Sequence, residues 1–144
     1  MRALLNSLLR TQAGYGISLL RVVAGLTFMA HGSQKLFGWF GGYGLVGVGQ
    51  WMESIGITPG YLMAALAGSA EFFGGLALVI GLLVRPAAVS LLIAMLVAII
   101  SVHWANGFFI TESGFEYAMI LALISAVILI EGAGKLSLDR RIAG

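Results

Sequence analysis

Four long apolar stretches dominate this chain and limit what it can fold into. A transmembrane helix needs about 20 consecutive, mainly apolar residues, and glycine, proline and polar residues divide the sequence into stretches near that length. The stretches predict an all-α membrane protein, folded as a single domain over residues 1–144 into a four-helix transmembrane bundle. The predicted spans run approximately over Ile17–Phe37, Gly60–Leu83, Pro86–Asn106 and Phe115–Ile130.

The composition also favours lipid over water as the surrounding medium. Apolar residues make up 60% of the chain and charged residues only 10%, whereas a soluble domain carries about 25% charged residues. Too few charges remain to cover a water-facing surface. The chain has no cysteine, which excludes disulfides and thiolate chemistry. It also lacks a basic cluster with interleaved aromatic residues, so a nucleic acid partner is not expected.

The distribution of charge predicts the orientation in the membrane. Four spans put both ends of the chain on one side, and short cytoplasmic loops are enriched in Lys and Arg. The opposite side carries Lys35 and the acidic residues Glu53, Glu112 and Glu116. Both termini are therefore predicted to be cytoplasmic. The basic residues on that side are Arg2, Arg10, Arg85, Lys135, Arg140 and Arg141.

Ionisable side chains within or beside the spans mark a candidate site. Each costs about 2.5–3.5 kcal/mol to insert at the centre of a helix, so such groups usually face the protein interior and have a partner. A rise of about 1.5 Å per residue places His31, Lys35, His103 and Glu116 near the outer ends of three helices. Glu71 of the remaining helix lies just beneath them. The pattern predicts a polar, ligand-binding pocket formed by these five residues in the outer leaflet.

Glu71 permits two interpretations that the sequence leaves open. In the structural one, Glu71 lies among small residues and is neutralised by Arg21 as a buried charge pair, or is held protonated. In the functional one, its carboxylate accepts a proton below the pocket.

The histidines leave the ligand open as well. Two histidines at similar depth on different helices are able to ligate haem iron, and adding Glu71 or Glu116 would provide donors for a divalent metal. No H-x-x-x-H or E-x-x-H spacing on one helix supports a metal site. A pocket for a quinone-like or other small polar molecule is favoured, in which lysine and histidine bond a carbonyl or oxyanion. Trp39, Trp51 and Trp104 would supply ring faces, or form the aromatic belt of a membrane protein.

The segment "GGYGLVGVGQW" separates the first two spans. It does not follow a predicted strand and lacks the Lys-Ser/Thr pair of a phosphate-binding loop. We expect it to form a long outer loop that folds over the pocket as a lid.

Five sequence blocks resemble the DoxX family of small four-helix membrane proteins. The blocks are "LLRVVAGLTFMAHGSQKL", "AEFFGGLALVIGLLVRPAA", "HWANGF", "GFEYAMILAL" and "GAGKLSLD", and they extend from about Leu19 to Asp139. The family's R, H-G-x-x-K-L and E-x-x-G-G patterns and its later positions fall on Arg21, His31, Gly32, Lys35, Leu36, Glu71, Gly74, Gly75, Arg85, His103, Gly114, Glu116 and Tyr117.

The resemblance implies a bacterial or archaeal inner-membrane location and a link to redox chemistry. Members of this family include subunits of a thiosulfate:quinone oxidoreductase, components of a membrane oxidoreductase complex with superoxide dismutase and a sulfurtransferase, and proteins linked to resistance to quinones and catechols. The implied function is a quinone- or redox-linked subunit of a membrane oxidoreductase system, with an oxidoreductase partner or a second copy of the chain. A small-molecule or proton transporter and a non-catalytic scaffold subunit are the alternatives. The sequence does not decide whether the chain is itself an enzyme.

Overall fold

The computed structural model describes residues 1–144 as a chain of helices and connections without strands. This confirms the predicted all-α class. The seven α-helices are α1 (Arg2–Leu9), α2 (Tyr15–Phe37), α3 (Gly44–Ser54), α4 (Gly60–Ile80), α5 (Val84–Ala98), α6 (Glu116–Glu131) and α7 (Leu138–Ala143).

The helical path of α5 continues beyond its last α-helical residue. A π-helical segment, Ile99–His103, follows directly and leads into a 3-10 turn, Trp104–Asn106. Segments of π-helix are rare and occur frequently at functional sites. This one lies where α5 reaches the cavity described below.

Two helical stretches, Gly60–Ile80 and Val84–Asn106, are long and apolar enough to cross a membrane. The 23-residue helix α2 carries Arg21, His31 and Lys35, which lower its apolar character. Helix α6 has 16 residues, and at about 1.5 Å per residue it falls short of a full span. Spanning by all four long helices therefore stays a prediction.

Helices α2 and α4 pack closely because glycines line both sides of their interface. A β-carbon on Gly25 would lie 2.6 Å from the carbonyl oxygen of Gly75, closer than real β-carbons approach. Two turns further along α2, a β-carbon on Gly32 would collide with the backbone of Phe72. Small residues of this kind let two helix backbones approach each other. The close packing fixes the position of the last turns of α2 against the middle of α4.

One end of the molecule is held together by the loop between α4 and α5 and by the segment 132–139, and we call it the closed end. Leu83 has a left-handed backbone (φ 52°), and its N–H donates to Asp139 Oδ1 at 2.7 Å. The N–H of Val84 donates to Asp139 Oδ2 at 3.0 Å. The carboxylate of Asp139 therefore satisfies two free N–H groups at the start of α5.

Arg85 joins an N-terminal and a C-terminal segment of the chain at the closed end. Its Nε and Nη2 atoms donate to the carbonyl oxygens of Leu129 and Ile130, each at 3.1 Å, and its Nη1 donates to that of Arg10. The connection after α1, the start of α5 and the end of α6 thus meet at one guanidinium. The N-terminal and C-terminal segments lie at the same end of the molecule, as an even number of antiparallel long helices requires.

Candidate functional site

A cavity of about 480 Å³ lies between the helices at the end away from the termini. Its volume falls within the range of small-molecule sites, about 300–1,000 Å³. Fourteen of the 21 lining residues are hydrophobic, so the few polar groups determine which part of a ligand binds where. The polar side chains facing the cavity are His31, Lys35, Glu71, Ser101, His103, Ser113 and Tyr117.

An ion pair between Lys35 and Glu71 is the main polar feature of the cavity. Lys35 Nζ lies 2.6 Å from Glu71 Oε2, and this is the only salt bridge in the chain. The Glu71 side chain is 6% exposed and that of Lys35 is 23% exposed. The carboxylate is thus enclosed, while part of the lysine remains accessible from the cavity. Charges at such short range interact far more strongly in an apolar surrounding than in water.

The structure does not form the predicted charge pair between Arg21 and Glu71. Arg21 is 1% exposed and lies at the closed end, where its Nε donates to the carbonyl oxygen of Ala133 at 3.0 Å. Its Nη1 donates to the carbonyls of Leu78 and Val79, and its Nη2 to that of Leu136. The end of α4 and the segment 132–139 supply carbonyl acceptors next to Arg21. Glu71 lies two turns before that end of α4, beside Lys35.

His31 lies one turn before Lys35 on α2, so the two side chains share a face of the helix. Its half-buried ring lines the cavity and lies 6.0 Å, centre to centre, from the ring of Tyr117 at a tilt of 48°. Tyr117 was not among the predicted site residues. Its signal in the sequence was the block "GFEYAMILAL", in which Tyr117 is one of the positions that match the family pattern.

Glu116, the predicted site residue next to Tyr117, is not among the residues that line the cavity. It begins α6, and its backbone N–H donates to the carbonyl oxygen of Phe108 at 2.9 Å. Successive helical residues point about 100° apart. The phase of α6 therefore directs Tyr117 and Ala118 towards the cavity in place of Glu116.

His103 reaches the cavity from the end of the π-helical segment. Its Nδ1 lies 2.8 Å from the carbonyl oxygen of Ser113, which also accepts a hydrogen bond from Asn106 Nδ2 at 3.2 Å. Because a carbonyl oxygen only accepts, Nδ1 must carry the proton of this bond. In the neutral ring, Nε2 is then the acceptor.

Four of the five predicted ligand-binding residues therefore lie around one cavity. These are His31, Lys35, Glu71 and His103. Nowhere in the chain do three His, Cys, Asp or Glu side chains come close enough to hold a metal ion.

Only one of the three tryptophans considered as ring donors reaches the cavity. Trp51 lines it, whereas Trp104 stacks on Phe115 with centroids 5.1 Å apart and Trp39 packs on Phe37. Trp51 belongs to α3, so much of the predicted lid loop is helical. Whether this segment acts as a lid stays a prediction.

The surface identifies the class of protein. Large hydrophobic side chains on the outer faces of the long helices are exposed, among them Leu26, Leu66, Ile93 and Leu123, each more than half exposed. Together with two helical stretches of membrane-spanning length, this surface defines a membrane protein. The DoxX family model matches residues 16–104. The chain therefore belongs to the DoxX family, as the five sequence blocks indicated.

Similar proteins come from several bacteria. An uncharacterised membrane protein of Mycobacterium tuberculosis is 34% identical over 94% of this chain and 86% of its own length. An uncharacterised protein of Haemophilus influenzae is 31% identical over 88% of this chain and 90% of its own. A Bacillus subtilis protein named "Putative oxidoreductase CatD" is 32% identical over 86% of this chain and 84% of its own. No solved structure matches.

Proposed function

We propose that this chain is a redox-linked subunit of a membrane oxidoreductase system, and that its cavity binds a quinone or a similar small carrier. The family membership and the oxidoreductase name of the Bacillus subtilis relative support a redox role. The observation that carries the proposal is the Lys35–Glu71 ion pair, set in a mainly apolar cavity beside His31 and His103. Ionisable residues within a membrane are costly and usually mark functional sites.

Each polar group has a role suited to a carbonyl or phenolic ligand. The ammonium group of Lys35 donates to a ligand carbonyl and stabilises the oxyanion that forms on reduction. Glu71 accepts or returns the accompanying proton. Nε2 of His103 offers an acceptor on another wall of the cavity. The electrons come from a bound cofactor, from the substrate or from a partner protein, because this chain contains no cysteine that could carry them.

We further propose that α2, α4, the Val84–Asn106 helix and α6 form a four-helix, multi-pass bundle in the bacterial plasma (inner) membrane. The closed end would face the cytoplasm, with both termini, and the cavity would lie in the outer leaflet. The basic residues Arg10, Arg85 and Lys135 at the closed end support this orientation under the positive-inside rule. Helix α6 has 16 residues, so residues just before and after it would complete its passage through the membrane.

The role of Lys35 is tested by quinone binding in lipid nanodiscs. Trp51 lines the cavity, so in a background of Trp39→Phe and Trp104→Phe, quenching of its fluorescence by a short-chain benzoquinone reports occupancy. We expect Lys35→Met to weaken binding by about 10- to 100-fold, the effect of losing one hydrogen bond to a charged group. Lys135→Met is the matched control, because Lys135 is exposed outside the cavity and lies over the ring of Tyr15. The affinity of this variant for the quinone should equal that of wild type.

A double variant separates loss of binding from misfolding. Lys35→Met alone leaves the Glu71 carboxylate without its partner, which costs stability, whereas Lys35→Met with Glu71→Gln removes both charges. We expect the double variant to fold and still fail to bind. Quinone binding equal to wild type in this variant would contradict the proposal. Retained activity of the partner complex would then favour a scaffold, and liposome flux lost on Glu71→Gln would favour a transporter.

A further inference from the structure

The geometry points to a lateral opening of the cavity between α4 and the Val84–Asn106 helix. A ligand would pass through it directly from the hydrocarbon of the bilayer. The inference rests on the proposed function for the identity of the ligand, but the opening itself follows from packing and exposure. It implies that the natural ligand is dissolved in the membrane and carries an apolar tail.

Helices α4 and α5 pack against each other near the closed end, and further from it both border the cavity. A β-carbon on Gly74 would lie 3.1 Å from Leu91 Cγ, so the Leu91 side chain packs directly on the backbone of α4 at that level. Seven residues away along each antiparallel helix are Ala67 and Ala98, which return to the same faces after two turns. Both of these alanines line the cavity. The interface that is packed at Gly74 and Leu91 is thus a slot two turns further on.

The α5 side of the slot reaches the outer surface of the molecule. Ala94 and Val97 are three residues apart and lie on one edge of α5. Both line the cavity, yet Val97 is 51% exposed. Because Val97 borders the cavity and is also half exposed, we take it as the rim of the opening on α5. Val97 lies 13 residues, or roughly 20 Å, from the start of α5, well within the apolar stretch.

Large apolar side chains flank the slot on both helices, and Ser101, one turn beyond Val97, is the polar side chain nearest to it. Leu66 precedes Ala67 on α4, Ile93 precedes Ala94 on α5, and each is 56% exposed. A mouth that opened to water would carry polar side chains on its rim. Large exposed hydrophobic residues instead match the hydrocarbon region of a bilayer. From the slot, the cavity leads to the ion pair of Lys35 and Glu71, so a polar head would lie inside and an apolar tail in the slot.

The competing route runs through the connections at the cavity end. Ile110 and Ser113 line the cavity there and are exposed. From the other side, Met52 of α3 is buried against the cavity. A water-fed cavity would fill through these connections, and the experiments below separate the two routes.

Spin labels on single cysteines test the opening without any ligand. The natural chain has no cysteine, so Ala67→Cys and Ala94→Cys, one on each wall of the slot, are labelled uniquely in proteoliposomes. Collision with oxygen, which concentrates in hydrocarbon, is compared with collision with a water-soluble nickel chelate. We expect both labels to prefer oxygen, as does the lipid-facing control Val89→Cys, which does not line the cavity. A preference for the nickel chelate at Ala94, as at the exposed control Glu112→Cys, would overturn the inference.

A plug in the slot tests the passage of a tailed ligand. Val97→Trp should slow the association of a benzoquinone with a ten-carbon chain by about tenfold or more, while changing the affinity for the tail-free parent by less than about threefold. Ile93→Trp is the control, since Ile93 does not line the cavity. Equal association of the tailed quinone in wild type and Val97→Trp would overturn the lateral route. Failure of wild type to bind either quinone would instead refute the proposed function, and the spin labels would still decide the opening.

Discussion

At the level of single residues, the two cations of α2 are stabilised in different ways. Arg21 spreads its guanidinium over carbonyl oxygens from the end of α4 and from the segment 132–139. Lys35 places its ammonium group against one carboxylate. Arg has five donors in a planar fork, whereas Lys is a compact charge on a flexible stem. Arg21 is therefore suited to joining segments, and Lys35 to exchanging one partner for a ligand.

Replacing Arg21 should destabilise the fold strongly. In Arg21→Met, the carbonyls of Leu78 and Ala133 lose their donor in a buried place, and we expect the free energy of unfolding to fall by about 3 kcal/mol or more. Equilibrium unfolding by SDS in mixed micelles measures the change. Arg140→Met is the control, because Arg140 is exposed and its removal should change stability by less than about 0.5 kcal/mol. Equal stability of the two variants would contradict the role assigned to Arg21.

The sequence predicted the depth of the polar residues better than their partners. Counting residues along an apolar helix gives depth directly, so His31, Lys35 and Glu71 were expected near each other. The partner of Arg21 could not be found in this way. Its acceptors are backbone carbonyls, which every residue has, and two of them come from a segment more than 110 residues away. Glu116 was misplaced because one residue of helical phase decides which side chain points inward.

At the level of elements, the long helices were predictable and the short ones were not. The expected span at 115–130 corresponds to α6 at Glu116–Glu131, because apolar length and glycine or proline boundaries are local properties of the chain. Helix α3 was expected to be a loop, since its glycines have low helix propensity. It forms because tertiary packing compensates: Gly49 lies directly against Gly60 and Tyr61 of α4. The π-helical segment carries no sequence signal that we recognise.

The glycine interface between α2 and α4 gives a prediction with an internal control. Gly25→Ala should destabilise the protein by about 1–3 kcal/mol, since the added methyl group meets the carbonyl of Gly75 and forces the helices apart. Gly16→Ala, on the same helix, meets nothing within 4 Å. It should be neutral or stabilise by about 0.5 kcal/mol through helix propensity. SDS unfolding of the two variants measures the difference, and a reversed order would disprove close packing at Gly25.

At the level of the whole molecule, the two ends differ in character. The closed end is filled with side chains and hydrogen bonds, with Leu78, Val84 and Ile128 entirely buried. The other end contains the cavity and its ion pair. This asymmetry suits a site that opens in one half of the molecule and is stabilised by the packing of the other half.

Reporter fusions test the proposed orientation. Green fluorescent protein fused after Gly144 should fluoresce, since it folds in the cytoplasm, and alkaline phosphatase at the same position should be inactive. Alkaline phosphatase inserted at Gly56, in the exposed connection between α3 and α4, should be active. Active phosphatase at the C-terminus would indicate the opposite topology and contradict the proposed orientation.

The hydrogen bonds from Arg21 to the carbonyls of Ala133 and Leu136 have a consequence for biosynthesis. The arginine leaves the ribosome 112 and 115 residues before these two acceptors. If α2 spans the membrane as we propose, this charged helix enters the bilayer before its final hydrogen-bond partners are made. Until they arrive, the growing protein holds an incompletely solvated cation, and we expect nascent chains interrupted after Glu131 to be substrates for membrane proteases.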